Sequence, residues 1–179
     1  MKGLWDFLYH KDKRLFVYIN KRIKCRVLDE FMPRITHLGG VSFTVLTCIF
    51  LYLFGQSESK TAATEAFVTI TGSQGIVQLF KNTITRKRPY LVLPEVNTFW
   101  RKLLKDYSFP SGHTTAGFSL AAILAIHFPA YSLVSYFLAT MVGVSRIYTG
   151  MHYPSDVLSG AFLGTGFAIL TQIIKKMMI

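Results

Sequence analysis

Apolar residues run in five stretches along the chain, each closed off by polar or charged positions. They cover residues 35–55, 61–80, 114–128, 131–145 and 157–174. Crossing a bilayer takes about 20 apolar residues, so the first stretch suffices alone, while the third and fourth need flanking residues to reach across. Gly, Ala, Ser and Thr recur inside them, as in SGAFLGTG at 159–166, and such small residues let helices approach closely. The pattern predicts an all-α, integral membrane helix bundle with about five transmembrane helices. Glu65, Gln74 and Gln78 in the second stretch would be costly against lipid and are expected inside the bundle as hydrogen-bonding groups.

The first 34 residues follow a different pattern. Leu4, Trp5, Leu8, Leu15, Phe16, Tyr18 and Ile19 alternate there with Lys11, Lys13, Arg14, Lys21 and Arg22. This reads as a basic amphipathic helix lying on a membrane surface. The chain therefore divides into an interfacial segment, 1–34, and a membrane domain, 35–179. Within the one long polar loop, 81–112, Phe99, Trp100, Leu103 and Leu104 set against Arg101, Lys102 and Lys105 predict a short interfacial helix.

Composition sharpens the membrane reading. Of the 179 residues 51% are hydrophobic and only 16% charged, a lower charge content than a soluble domain carries. The net charge of +11 would suit nucleic acid or an anionic membrane alike. The apolar excess and the lack of a nucleic-acid recognition motif favour the membrane. Cys25 and Cys48 have neither disulfide-framework nor zinc-site spacing and are expected as free thiols. The N-terminus lacks a continuous apolar core and a small-residue cleavage site, so no cleavable signal is expected.

Chain direction brings distant polar clusters together. The second apolar stretch ends at KNTITRKRP (81–89), the third begins after FPSGH (109–113), and the fourth delivers Ser145 and Arg146 to the same face, followed by IYTGMHYPSD. Lys81, Arg88 and Arg146 bring fixed positive charge, and arginine can grip two anionic oxygens at once. Ser111 suits a helix N-cap, and Gly112 allows a ligand close to the backbone at a helix N-terminus that favours anions. Pro154 suits the first turn of the last helix, placing His152 just before it and Asp156 inside its first turn, within reach of one ring nitrogen. Three cations, helix N-termini, two imidazoles and one carboxylate suit phosphoryl transfer without a metal. One imidazole attacks phosphorus, the other protonates the leaving oxygen, and the cations stabilise the equatorial oxygens.

Lys81-x6-Arg88-Pro89, Pro110-Ser111-Gly112-His113 and Ser145-Arg146-x5-His152-x3-Asp156 resemble the three-part signature of the type 2 phosphatidic acid phosphatase family. Its members are membrane relatives of bacterial acid phosphatases and vanadium haloperoxidases. The resemblance covers about residues 35–174 and implies a multi-pass cell-membrane phosphatase acting on a lipid phosphate or diphosphate. Undecaprenyl diphosphate, phosphatidylglycerophosphate and phosphatidate are the implied substrates, with a lean toward a polyprenyl diphosphate. It implies His152 as a nucleophile forming a phosphohistidine, Asp156 as its orienting carboxylate, and His113 as general acid and then base. Lys81, Arg88, Arg146, Ser111 and the backbone at Gly112 would bind the phosphate, with no cofactor. Bacterial relatives often have six spans, and here the amphipathic segment stands in place of the first.

Other expectations are structural. His37 and His127 lie outside the motifs and are expected in structural roles, His10 at the surface, Arg86 and Lys87 as tuners of surface charge, and Tyr148 and Tyr153 bordering lipid. The positive-inside rule would put 1–34 and 81–112 at the cytoplasm, while Lys175 and Lys176 pull the other way. The rival readings are a vanadate-dependent haloperoxidase, a non-catalytic anionic-lipid binder, and a zinc site from His113, His152 and Asp156, which the three cations would repel.

Overall fold

The structure, a computed structural model, describes residues 2–99 and 106–178. Among them it is all helix: α1 (Lys2–Val17), α2 (Arg26–Ile35), α3 (Val41–Phe54), α4 (Ser57–Thr83), the single turn α5 (Pro89–Val92), α6 (Gly112–His127), α7 (Ser132–Tyr148) and α8 (Pro154–Met178). Gly40 and Gly55 in extended conformation delimit α3, and Pro154 opens α8 where its missing N–H costs nothing.

Helix α6 is the central post, packed against α4, α7 and α8. Its small and apolar residues from Thr114 to Ile123 are almost all buried. Close packing is built into α8, where a Cβ at Gly160 would stand 2.7 Å from the carbonyl oxygen of Ser111. The core between α3, α4, α6 and α8 consists mainly of alanines with Cys48, Ile70, Leu120 and Ile123. Larger apolar side chains, among them Leu53, Phe67, Phe137, Phe162 and Ile173, point outward instead. This small-in, large-out arrangement suits helices whose outer solvent is lipid.

The helix lengths differ from the five-span expectation. Among the described residues two helices are long and apolar enough to cross a membrane, Pro129–Tyr148 and Pro154–Met178. A third span results if Arg26–Gly39 and Val41–Phe54, bent by 55°, count as one. Helix α4 has 27 residues but carries charges at both ends, and α6 has only 16.

The N-terminal segment is not one continuous helix. Helix α1 ends in a π-helical stretch, Tyr18–Arg22, and α2 restarts after an extended Cys25. Phe16 is fully buried against Tyr153, ring centroids 5.6 Å apart, in a second core with Leu93 and Ile147. Asn20 is buried where the π-helical turn exposes its side chain inward. Its amide donates to the carbonyls of Tyr148 (2.8 Å) and Asn97 (3.0 Å), and the Asn97 N–H donates back. Tyr148 and Tyr153 are accordingly buried rather than at the lipid boundary, and the Tyr148 hydroxyl donates to Asp29 at 2.7 Å. Phe99 stacks on Tyr148; the rest of the expected interfacial helix, residues 100–105, lies outside the described residues.

Glu65 is buried within a polar cluster that ties α4, α6 and α8 together. It accepts hydrogen bonds from Lys175 (2.6 Å) and Gln172 and pairs with Nε2 of His127 (2.7 Å), whose Nδ1 meets Glu58. Gln74 is also internal, its amide donating to the Gly112 carbonyl at 2.9 Å. Gln78 departs from expectation: it is exposed and bonds Asn82 one turn along.

Candidate active site

The ends of α4, α6, α7 and α8 meet at one face of the bundle, covered by α1. The turn after α7 presents His152. Gly150 makes that turn with φ of 79°, and a Cβ there would stand 2.7 Å from Val96, so glycine is required on both counts. The N–H groups of Met151 and His152 both donate to the Arg146 carbonyl, which fixes the imidazole relative to the last turn of α7.

His152 is buried, and its two nitrogens have distinct partners. Nδ1 donates to the backbone carbonyl of Ser108 at 2.6 Å; a carbonyl only accepts, so Nδ1 carries the proton. Nε2 therefore bears the lone pair, and Nη1 of Arg88 lies 3.2 Å from it. Burial holds the imidazole well below its ordinary pKa, and Arg88, Arg146 and Lys81 push in the same direction. The residue is thus a neutral imidazole with its lone pair facing a cluster of cations.

The carboxylate expected to orient His152 sits differently. Asp156 Oδ2 is 3.7 Å from His152 Nδ1, too far for a hydrogen bond, because the Ser108 carbonyl has taken that place. Oδ2 instead accepts from the Tyr153 N–H at 2.8 Å, reaching back from the third helical residue as in a capping box. Oδ1 accepts from Arg86 at 2.6 Å. Asp156 is fully buried, so it remains a nearby negative charge for His152 without a direct bond.

The cations surround the lone pair. Arg88 is buried; its Nη1 also donates to the Met151 carbonyl (3.0 Å), its Nε to the Asp106 carbonyl (3.1 Å) and its Nη2 to the Asp106 carboxylate (2.8 Å). Lys81 pairs with the other oxygen of the same carboxylate. Burial disfavours ionisation of Asp106, but Lys81 and Arg88 outweigh it and hold the carboxyl below its ordinary range. Arg146 is buried with Nη1 donating to Thr36 at 3.0 Å, and its Nε has no hydrogen-bond partner among the described residues. An orphaned buried guanidinium N–H is costly unless a ligand meets it.

Helix α6 begins at this face. Ser111 occupies the N-cap position, but its side chain makes no cap to a backbone N–H; its oxygen accepts from the Thr114 hydroxyl at 2.9 Å. Its own N–H donates to the Asp156 carbonyl at 3.0 Å, joining the starts of α6 and α8. His113, the second helical residue, lies within electrostatic reach of Arg146 and His152 and also of His37. His37 is therefore nearer the site than its place at the start of an apolar stretch implied.

Sequence reasoning passed over four groups here. The Ser108 carbonyl and Asp106 lie in the loop before PSGH, where no pattern marks a backbone acceptor. Arg86 is not a surface residue: it ion-pairs with Asp156 and Asp12 and stacks on the Tyr153 ring at 4.1 Å. Asp12 belongs to a helix read only as amphipathic. The signal for Arg86, a second arginine inside the motif-bearing basic run, was visible but had no partner until the chain folded.

Comparison with known proteins matches this geometry to one family. The family model described as PAP2 superfamily matches residues 62–178. A lipid A 1-phosphatase of Rhizobium johnstonii is 30% identical over 159 residues, an alignment covering 78% of this chain and 65% of that relative. The chain thus spans slightly less than two thirds of that protein's length. The crystal structure of Aquifex aeolicus LpxE superposes with a TM-score of 0.80 at 29% identity, covering 89% of this chain and 93% of the other. A transmembrane PAP2-type phosphatidylglycerolphosphate phosphatase of Bacillus subtilis shares the fold, with a TM-score of 0.76 at 22% identity and coverage of 96% and 88%. The motifs, the helical fold and the matched region agree: the chain belongs to the PAP2 superfamily.

Proposed function

We propose that the protein is an integral-membrane, metal-independent phosphatase that removes a terminal phosphate from a lipid phosphate or diphosphate through a phosphohistidine. The observation that carries this reading is a neutral, buried His152 with its lone pair on Nε2, within electrostatic reach of a buried Arg146 whose Nε has no hydrogen-bond partner among the described residues. An incoming phosphoryl group answers both: its phosphorus meets Nε2 and its oxygens meet the guanidinium groups.

In the first step Nε2 of His152 forms a bond to phosphorus while the bond from phosphorus to the lipid oxygen breaks. His113 gives its proton to that leaving oxygen. The imidazole becomes cationic on phosphorylation; the Ser108 carbonyl keeps its bond to Nδ1–H and Asp156 supplies negative charge 3.7 Å away. In the second step water attacks phosphorus, His113 takes its proton, and the P–N bond breaks to free Nε2. Lys81, Arg88 and Arg146 stabilise the equatorial oxygens in both steps.

Lipid as the substrate class is supported by the outward apolar surface of α3, α4, α7 and α8 and by the names of the relatives. A cleft of 700 Å³ between α1 and α8, lined by Tyr9, Leu15, Ile84, Phe109 and Leu158 with Arg86 at its edge, offers an apolar surface beside the site. Five membrane crossings, with α4 and α6 recruited beside α3, α7 and α8, and a place in the cell membrane belong to the same reading.

The test is phosphate release by detergent-solubilised protein and its His152→Ala variant, in EDTA, from undecaprenyl diphosphate, phosphatidylglycerophosphate, phosphatidate and a lipid A 1-phosphate. Release that survives EDTA and is lost in the variant is expected. Strict dependence on a divalent cation, or full activity of His152→Ala, would overturn the mechanism.

A further inference from the structure

Arg86 lies outside the residues that face the phosphate, yet its side chain is as fully committed as any in the site. Nη1 donates to Asp156 Oδ1 and to the Ser155 hydroxyl, both at 2.6 Å, and Nη2 donates to Asp12 at 2.6 Å. The guanidinium plane covers the Tyr153 ring at 4.1 Å. Asp12 in turn accepts the Ser155 N–H at 2.9 Å and the Ser155 hydroxyl. Tyr153, Ser155 and Asp156 are thereby held by Arg86 of the 81–89 run, and Asp12 of α1 holds both Arg86 and Ser155.

We propose that Arg86 is a positioning residue for the His152–Asp156 turn, and that Asp12 makes the N-terminal helix α1 part of the working site. This rests on the phosphatase reading above. Asp156 is fully buried and is not bonded to His152, so its location relative to the imidazole depends on what holds its two oxygens: the Tyr153 N–H, the Ser108 side chain and Arg86. Arg86 alone brings charge to that carboxylate. The neighbouring groups that can titrate are His152 at 3.7 Å, Tyr153 under the guanidinium and, beyond it, Tyr9 and Asp12. A buried carboxylate stripped of its guanidinium partner protonates more readily, and a protonated Asp156 no longer offsets the charge that His152 acquires on phosphorylation. Arginine is required because one planar fork serves Asp156, Ser155 and Asp12 at once, which a lysine point charge does not. The arrangement joins α1, which Phe16 packs against Tyr153, to the catalytic face.

The experiment compares wild type, Arg86→Gln, Arg86→Lys and Asp12→Asn, purified in detergent, by phosphate release across pH, with the folded fraction measured by size exclusion and thermal melting. Arg86→Gln is expected to lower kcat by tenfold or more with KM within about twofold, since the phosphate cradle is untouched. The acid limb of its kcat profile is expected to move to higher pH. Arg86→Lys should recover part of kcat and return the limb toward its wild-type position, and Asp12→Asn should show the same change as Arg86→Gln but smaller. Wild-type kcat and pH profile in Arg86→Gln would overturn the proposal. So would a loss of activity that matches the loss of folded protein with the acid limb unmoved, in Arg86→Gln or in the milder Asp12→Asn. Absence of phosphate release by the folded wild-type protein would instead sink the phosphatase reading, which keeps the two failures distinct.

Discussion

Nδ1 of His152 donates its proton to the backbone carbonyl of Ser108 at 2.6 Å. A main-chain acceptor cannot be titrated or removed by substitution, so the tautomer that frees Nε2 is set by the path of the loop before α6. The Nε2 lone pair then faces Arg88, and Arg88 is where the first variant is informative. Its guanidinium meets His152 and Met151 through Nη1 and Asp106 through Nε and Nη2. Arg88→Lys keeps the charge but loses the fork, and kcat/KM for phosphate release should fall by about 10²-fold, the effect of losing a donor aimed at developing charge. Activity within twofold of wild type would show that charge alone suffices.

Asp106 neutralises the two cations that the phosphate would need. Its carboxylate bridges Lys81 and Arg88 and stays ionised because both hold it there. Under the proposed function a substrate phosphate would have to displace it. Asp106→Asn removes the competing charge while keeping the shape, so KM should drop several-fold and inorganic phosphate should inhibit more strongly. An unchanged KM together with unchanged phosphate inhibition would mean that the carboxylate does not compete.

The depressed pKa of His152 makes a prediction about pH. Burial first, and then Arg88, Arg146 and Lys81, keep the folded-state imidazole neutral well below its ordinary value near 6.5. As pH falls below about 6.5 the unfolded chain binds a proton that the folded site refuses, so this group lowers stability on acidification and leaves it unaffected above. Thermal melting in detergent should therefore show the Tm decreasing from pH 7 to 5, and less steeply in His152→Gln, which cannot titrate. Equal slopes for the two proteins would remove His152 as the cause.

The Glu65 cluster lies about 24 Å along α4 from Lys81 at 1.5 Å per residue, at the opposite end of the bundle. It pairs groups from α4, α6 and α8. Glu65→Ala leaves Lys175, Gln172 and His127 without their common acceptor and should cost about 1–3 kcal/mol of stability, read as a lower Tm. Phosphate release per folded molecule should remain at the wild-type level. A change in kcat at constant folded fraction would show that the two ends are coupled.

Much was legible in the residues alone. The apolar periodicity determined an all-helical membrane protein, and the spacing of Lys81, Arg88, Ser111, His113, Arg146, His152 and Asp156 determined a common face, because antiparallel neighbouring helices must return their ends there. Those features are local or depend only on chain direction. What the tertiary structure decided depends on contacts between segments far apart in sequence. Ser108 rather than Asp156 bonds His152 because a loop 44 residues away in sequence reaches Nδ1 first. Arg86 faces Asp156 and Asp12 because α1 folds back over the start of α8, a contact spanning 74 residues in one case and 70 in the other. A run of basic residues specifies charge; only the neighbours that folding delivers specify which of those charges meets a ligand and which holds a carboxylate in place.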